Sequence, residues 1–400
     1  MPLGDLTTLI SSGSTPKGGS EVYLRQGPVM LIRSQNVRMN TLVLDDVAYV
    51  TDEIDAQMVR SRVKFGDVLL NITGASIGRV ATFDLEHVEA NVNQHVCIIR
   101  PRPDALFGRY LSYLISNPEF QLHIDRLQHG GTRQALTFGQ IAEFGIPLPP
   151  LPEQRRIAAI LDKADGLRAK RRVIADRLGG MPDALFSELE RSPDFAGWTK
   201  VSLRDAFWFQ EGPGVRSSQF RPEGVKLLNV GNIEKNGTLN LSKTKRSISE
   251  EEFKTKYRHF AVDEGDFVIA SSGISFDEDG FLRTRGAFVQ AHHLPLCMNT
   301  STIRFKAVKD KSNLRFLSGW LNSLSFRSQI TRLVTGSAQQ NFGPSHLETI
   351  RIALPPLRVQ ESLANKFATI DRLRESHDSS LATIGELFST LQHQAFSGAL

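Results

Sequence analysis

Thr132, Arg133 and Gln134 sit in a glycine-containing stretch, HGGTRQALTF (129–138), and Gln339, Gln340 and Asn341 sit in a second, TGSAQQNF (335–342). Asn and Gln amides pair bidentately with adenine and an Arg guanidinium with guanine, so reading base edges is one chemistry these loops offer. Their N–H groups equally suit phosphate, and simply turning the chain is a third use. TGASIGR (73–79) and SSGISF (271–276) pose the same choice between a close backbone approach to DNA and a tight strand turn. Cations for phosphate come from Arg33, Arg60, Arg62 and Lys64, with Arg100 and Arg102 as a second local cluster. The densest basic patch joins Lys243, Lys245 and Arg246 to Lys254, Lys256 and Arg258. A merely solvated face is the alternative for that patch.

Catalytic chemistry finds no such residues. The chain has no GxxxxGK[ST] phosphate loop, no GxGxxG after a strand, no HExxH pair and no Asn-Pro-Pro-aromatic sequence of the amino-methyltransferase kind. Glu252-Phe253-Lys254 has the ExK form of nuclease sites but lacks a well-placed preceding acid. His292-His293, read as neighbours on a strand, would point to opposite faces and could not share a metal. Cys97 and Cys297 have no CxxC partner and read as small buried apolar residues. The expectation is a chain without a catalytic centre, cofactor or metal.

The elements that position these loops emerge from a repeat. At a constant offset of 206, residues 106–167 pair with 312–373 without a gap. The identities include Arg109/Arg315, Leu111/Leu317, Phe120/Phe326, Gly130/Gly336, Gln134/Gln340, the two LPPL quartets and Gln154/Gln360. Upstream the offset drifts: 196 at LIRSQNV against LLNVGNI, 199 at Gly66-Asp67 against Gly265-Asp266, and 206 at Asn93 against Asn299. The upstream half of each repeat has therefore diverged in length. Four hundred residues with 40% hydrophobic and 23% charged content fit a multidomain globular chain. We divide it at 1–151, 152–193, 194–356 and 357–400. The first and third segments mix short strand-like runs (VLLNI, HVCIIRP, DFVIAS, STIRF) with helical patterns, giving α+β modules with curled sheets. The basic excess behind the net charge of +5 lies in 194–356. With no long apolar run and no signal-peptide pattern at MPLGDLTTLI, the expectation is a cytoplasmic protein that engages no membrane.

The second and fourth segments are long helices. Ile157, Leu161, Ala164, Arg168, Arg171, Ala175 and Leu178 follow 4-3 heptad spacing, and the 206 offset maps them onto Leu363, Phe367, Ile370, Arg374, His377, Leu381 and Ile384. Both seams are interrupted by basic residues at the same two places. Either these side chains snorkel from a solvated edge, or they form a polar layer fixing the register of a helix pair, with Asp165 or Glu375 as counter-charge. LGGMPDALF (178–186) reads as the end or a kink of the first helix, leaving 26 residues from 153 to 178, about 39 Å and close to one DNA turn. Ile160, Leu167 and Ile174 lie off the seam and read as apolar surface awaiting a partner.

The order of variable module, PLPPLPEQRRIAAILDKAD helix, second module opening with DFAGWTKVSL, and a second LPPL plus helix ending QHQAFSGAL resembles the specificity subunit of type I restriction-modification systems, across essentially the whole chain. That resemblance implies a non-catalytic protein with two target recognition domains, each reading half of a split asymmetric sequence in double-stranded DNA, and two helices paired antiparallel as a spacer. It also implies docking of two methyltransferase subunits, which supply the S-adenosylmethionine chemistry, and of restriction subunits for ATP-driven translocation and cleavage. One departure is that MPLGDL has no equivalent of Gly197-Trp198, so the first module's N-terminal edge is expected to be trimmed or packed differently. Two rivals from other classes are a stand-alone nuclease or methyltransferase and a protein-binding adaptor. Cleavage or methylation by the purified chain would favour the first, and salt-sensitive duplex binding would argue against the second.

Overall fold

In a computed structural model, residues 1–128, 135–243, 245–276, 280–334 and 341–400 are described. The chain divides into two units, one formed by Met1–Arg172 with Ser379–Leu400 and the other by Val173–Asp378.

In the first unit, VLLN (Val68–Asn71) is buried at every position, as a strand covered on both faces must be. It lies inside an antiparallel four-stranded sheet ordered Thr7–Ser12, Val96–Pro101, Val68–Asn71, Val80–Thr82. Because side chains alternate across a strand, Val68, Leu70, Cys97 and Ile99 enter one core while Leu69, Val96 and Ile98 enter another. The second core is shared with a three-stranded sheet in which Val29–Ile32 runs antiparallel to Ala48–Val50 and parallel to Ala90–Val92. Helix Gly108–Ile115 covers the other face, so closely that a Cβ on Gly108 would stand 2.3 Å from the carbonyl oxygen of Gly66.

The second unit repeats this plan. Its four-stranded sheet runs Phe207–Glu211, Thr302–Ala307, Phe267–Ala270, Gly286–Phe288, and its three-stranded sheet runs Ser247–Ile248, Val225–Leu228, Leu296–Met298 with the same mixture of directions. The largest change of spacing falls in one hairpin. Asn71 N–H donates to the Arg79 carbonyl as Ala270 N–H donates to that of Arg285, each at 2.8 Å, so the second hairpin tip is seven residues longer. The N-terminal edges differ as the missing GW entry led us to expect: Thr199–Ser202 pairs along its length with Arg351–Leu354, whereas the first unit has a single bridge, Pro2 to Gly145.

The central helix runs unbroken from Leu151 to Arg191 through Gly179, Gly180 and Pro182, which corrects the end or kink expected at LGGMPDALF. Proline inside a helix costs about 3 kcal/mol. Beyond it, Phe186 is fully buried in the second unit's core with Leu185 and Leu189 against it, and burying one such aromatic is worth as much. The helix therefore has 41 residues, and the match of a 26-residue rod to one DNA turn does not carry over. The C-terminal helix, Leu357–Ser397, also has 41. Neither is long and apolar enough to cross a membrane, nor is any other described helix.

Within the first unit, segments of these helices pair antiparallel: Arg156 donates to the Leu400 carbonyl at 2.9 Å, and twelve residues later Arg168 lies 4.3 Å over the Phe388 ring. Within the second, Phe186 stacks on Phe367 at 5.5 Å and 9°. Ile157, Leu161, Ala164, Leu178, Leu363, Phe367 and Ile370 are buried, and Arg168, Arg171, Ala175, Arg374, His377, Leu381 and Ile384 are half-buried. The Arg168 interruption is both stacked and paired, since Asp165 accepts from it at 3.1 Å one turn earlier.

Candidate nucleic-acid interface

Each module meets its long helix through one fully buried glutamine. The Gln154 amide nitrogen donates to the carbonyls of Ala105 (3.0 Å) and Pro149 (2.8 Å), and its oxygen accepts from Phe107 N–H (2.8 Å). Gln360 donates to the carbonyls of Lys311 (3.0 Å) and Pro355 (2.8 Å) and accepts from Asn313 N–H (2.9 Å). Every partner is displaced by the same 206 residues. The proline straps thus end in a hydrogen-bonded clamp that fixes each helix to the segment linking a sheet strand, Val96–Pro101 or Thr302–Ala307, to the module helix that follows it. The repeat identity Gln154/Gln360 was the available signal for it, but nothing in the sequence placed its partners.

At the far end of the sheet the nominated loops come together. Leu136 N–H donates to the Ile72 carbonyl at 2.9 Å, and Phe342 N–H to that of Ser271 at 3.0 Å, so in each unit the segment following one glycine stretch is tied to the start of the other. Thr73 also bridges to Ala135. Gly74 and Gly78 take φ of +73° and +85°, and Gly273 takes +62°, so both segments are tight turns, whatever they touch. Of the residues nominated on the paired loops, Thr132, Arg133, Gln134, Gln339 and Gln340 lie outside the described residues, and Asn341 is exposed.

The nominated cations are sorted by their partners. Arg62 pairs with Asp55, a buried carboxylate that also accepts from Asn91; this bond is the main cause raising the guanidinium's pKa. Arg33 donates to the Asp46 carbonyl at 2.8 Å. Arg100 is bidentate on buried Asp67 at 2.8 and 2.7 Å, which gives it a structural place instead of a free one. Lys243 pairs with Glu234 at 2.7 Å, Lys254 with Glu250 at 2.9 Å, and Lys256 with Glu252 at 3.9 Å. Arg246 lies 5.0 Å over the Phe220 ring. Arg60, Lys64, Lys245 and Arg258 are exposed and make no side-chain ion pair among the described residues. The second module's patch is therefore laced with acids, and its unpaired charge is smaller than the sequence count suggests.

Glu252 and Lys254 turn to different partners: Glu252 accepts from Gln219 at 3.0 Å, while Lys254 reaches back to Glu250. His292 and His293 occupy a 3-10 turn, Ala291–His293, not a strand as we had supposed. Buried His293 accepts from Gln290 N–H through Nδ1 at 3.0 Å. No group of three or more His, Cys, Asp or Glu suited to a metal occurs among the described residues. Burial pushes the thiols of Cys97 and Cys297 up to about 12, leaving both inert.

The comparisons with known proteins agree with this plan. A family model described as Type I restriction modification DNA specificity domain matches residues 2–173 and again 196–385. The chain is 24% identical over 400 residues to a putative type I restriction enzyme MjaX specificity subunit of Methanocaldococcus jannaschii, covering 93% of this chain and 86% of that one. It is 21% identical over 427 residues to the type I restriction enzyme EcoKI specificity subunit of Escherichia coli, covering 100% and 88%. Among solved structures, the Type-I restriction-modification system S subunit from M. genitalium is similar with a TM-score of 0.58 at 14% identity, over 99% of this chain and 95% of that one. A chain from a study of complex assembly and conformational transition in the type I R-M system gives 0.55, also at 14% identity, over 100% and 97%. At such identities the structural likeness bears on the fold alone.

Proposed function

The chain belongs to the type I restriction modification DNA specificity family, and from that premise we propose that it selects the DNA target of a type I restriction-modification complex. Each module reads one half of a bipartite, asymmetric double-stranded sequence, and the central and C-terminal helices set the unread gap. Two methyltransferase subunits and the restriction subunits assemble on it in the cytoplasm and carry the chemistry. This chain supplies recognition and not catalysis.

The observation that carries this reading is the doubled family domain whose module-to-helix joint recurs bond for bond at Gln154 and Gln360. Identical joints on modules whose hairpin tips differ by seven residues suit two readers of different half-sites held in one manner. We assign base reading to the paired loops of each module, including Thr132, Arg133 and Gln134 in one and Gln339, Gln340 and Asn341 in the other. Phosphate contact falls to Arg60, Lys64, Lys245 and Arg258, which make no ion pair among the described residues, with Arg33, Arg62, Lys243, Arg246 and Lys256 of lesser weight because acids, a carbonyl or a ring already hold them. Leu167 and Ile174, exposed on the central helix away from its seam, suit docking of the methyltransferase subunits.

Genome-wide mapping of methylated bases in a host carrying this chain and its methyltransferase partner tests the proposal. A two-part motif with a fixed gap is expected. A single continuous motif, or none, overturns it.

A further inference from the structure

Thr73, Gln94 and His95 lie where the loops of the first module converge, and none was singled out by its residue type. The Gln94 Nε2 stands 2.9 Å from His95 Nε2, and His95 Nδ1 stands 2.5 Å from Thr73 Oγ1. An amide nitrogen only donates, so His95 Nε2 accepts, and Nδ1 carries the proton that it donates to Thr73. The relay fixes which way the Gln94 amide faces. Gln94 is exposed, while His95 and Thr73 are half-buried behind it. The remaining N–H and the oxygen of Gln94 make no hydrogen bond among the described residues, so a donor and an acceptor are presented side by side. That pair matches N7 and N6–H of adenine in the major groove.

The cluster is anchored as a reading head would be. Ile72 N–H donates to the His95 carbonyl at 3.0 Å, His95 N–H donates to Asn93 Oδ1 at 3.2 Å, and Thr73 bridges to Ala135. It sits at the start of strand Val96–Pro101, whose other end leads to the Gln154 clamp, roughly 20 Å away at ~3.3 Å per residue. In the second module the positions of Gln94 and His95 are taken by Thr300 and Ser301, which cannot build the relay.

We propose that Gln94, held by His95 and Thr73, reads an adenine in the half-site of the first module and is a specificity determinant with no counterpart in the second. This rests on the reading of the chain as a DNA specificity subunit. Gln94 touches the base; His95 is a positioning residue.

The test maps methylated sites genome-wide for the full chain with its methyltransferase partner, comparing wild type with Gln94→Ala, Gln94→Met, His95→Ala and His95→Gln. Both Gln94 variants are expected to accept other base pairs at one position of one half-site, with discrimination there falling roughly ten- to a hundredfold. The other half-site and the gap stay unchanged. His95→Ala relaxes the same position, and His95→Gln, which keeps a donor and an acceptor, restores part of it. An unchanged motif in both Gln94 variants overturns the inference. So does relaxation spread over many positions, or loss of assembly in both variants, since either makes Gln94 structural. A wild-type chain that yields no bipartite motif instead defeats the underlying functional reading.

Discussion

Gln154 and Gln360, 206 residues apart and both fully buried, each satisfy three backbone groups with a single amide. Gln154→Leu keeps the volume and leaves the Phe107 N–H and the Ala105 and Pro149 carbonyls without a partner. At about 1 kcal/mol or more for each stranded group, the first unit should lose roughly 3 kcal/mol, or about 6–12 °C in Tm. Gln360→Leu should cost the second unit a similar amount. Chemical denaturation of each variant measures this, and a loss below about 1 kcal/mol would mean that the joint is held by its other contacts, such as Arg109 and Tyr113 on Asp162 and Arg315 on Asp371.

Gly319 makes room for a ring stack. A Cβ there would lie 2.6 Å from Phe367 and 2.7 Å from Phe186. The first module solves the same problem with the sizes exchanged, since Tyr113 stands at the position of Gly319 and Leu161 at that of Phe367. Gly319→Ala should therefore destabilise by about 1–3 kcal/mol despite alanine's better helix propensity. Adding Phe367→Leu should recover part of the loss, and strictly additive losses in the double-mutant cycle would contradict the size exchange.

The continuous central helix makes its own prediction. Gly179 and Gly180 are exposed, and a Cβ on either meets nothing within 4 Å. If the helix passes through them, each change to alanine should stabilise by about 0.5–1 kcal/mol. Destabilisation in urea titrations would show that the glycines are needed for a bend.

Much of this arrangement was legible in the residues. The 206 offset and the drift in the upstream offset recur in the fold because they are matters of spacing along the chain, which sequence records directly. The continuation past Pro182 was not legible, because local helix signals oppose it and the opposing contacts, Phe186 on Phe316 and Phe367, come from residues more than a hundred positions away. Also hidden was the pairing of Arg62 with Asp55, itself bonded to Asn91, and of Arg100 with Asp67, because only the fold brings these groups together, so cations counted as available for DNA were already engaged. Gln94 and His95 escaped notice, although Thr73 heads the nominated TGASIGR stretch, because only the fold brings residue 73 beside residue 95.

Asp165 gives the first unit a pH signature. Burial raises its pKa against the opposing pull of Arg168. The folded state thus holds this proton at a pH where the unfolded chain has released it, so stability should fall as pH rises from the ordinary carboxylate value through the raised one, and level off above. Asp165→Asn removes this slope. Unfolding free energies of both proteins across pH 3.5–7 measure it, and parallel profiles would count against burial as the dominant influence.

The last prediction separates phosphate-binding cations from structural ones. Lys245 is exposed and makes no ion pair among the described residues, while Arg62 is held by Asp55, which itself is buried and bonded to Asn91. Each phosphate contact releases condensed counterions and adds about 0.9 to the slope of log K against log salt. Lys245→Ala should lower that slope by about one while leaving the methylation motif unchanged, because a phosphate contact carries no sequence information. Arg62→Ala should leave the slope nearly untouched and instead lower the stability of the first unit, since it strands a buried carboxylate. Affinity of the assembled methyltransferase for a duplex bearing the motif, measured between about 50 and 200 mM salt, reads the slopes. A drop in slope for Arg62→Ala, or none for Lys245→Ala, would reverse the division of labour drawn from their partners.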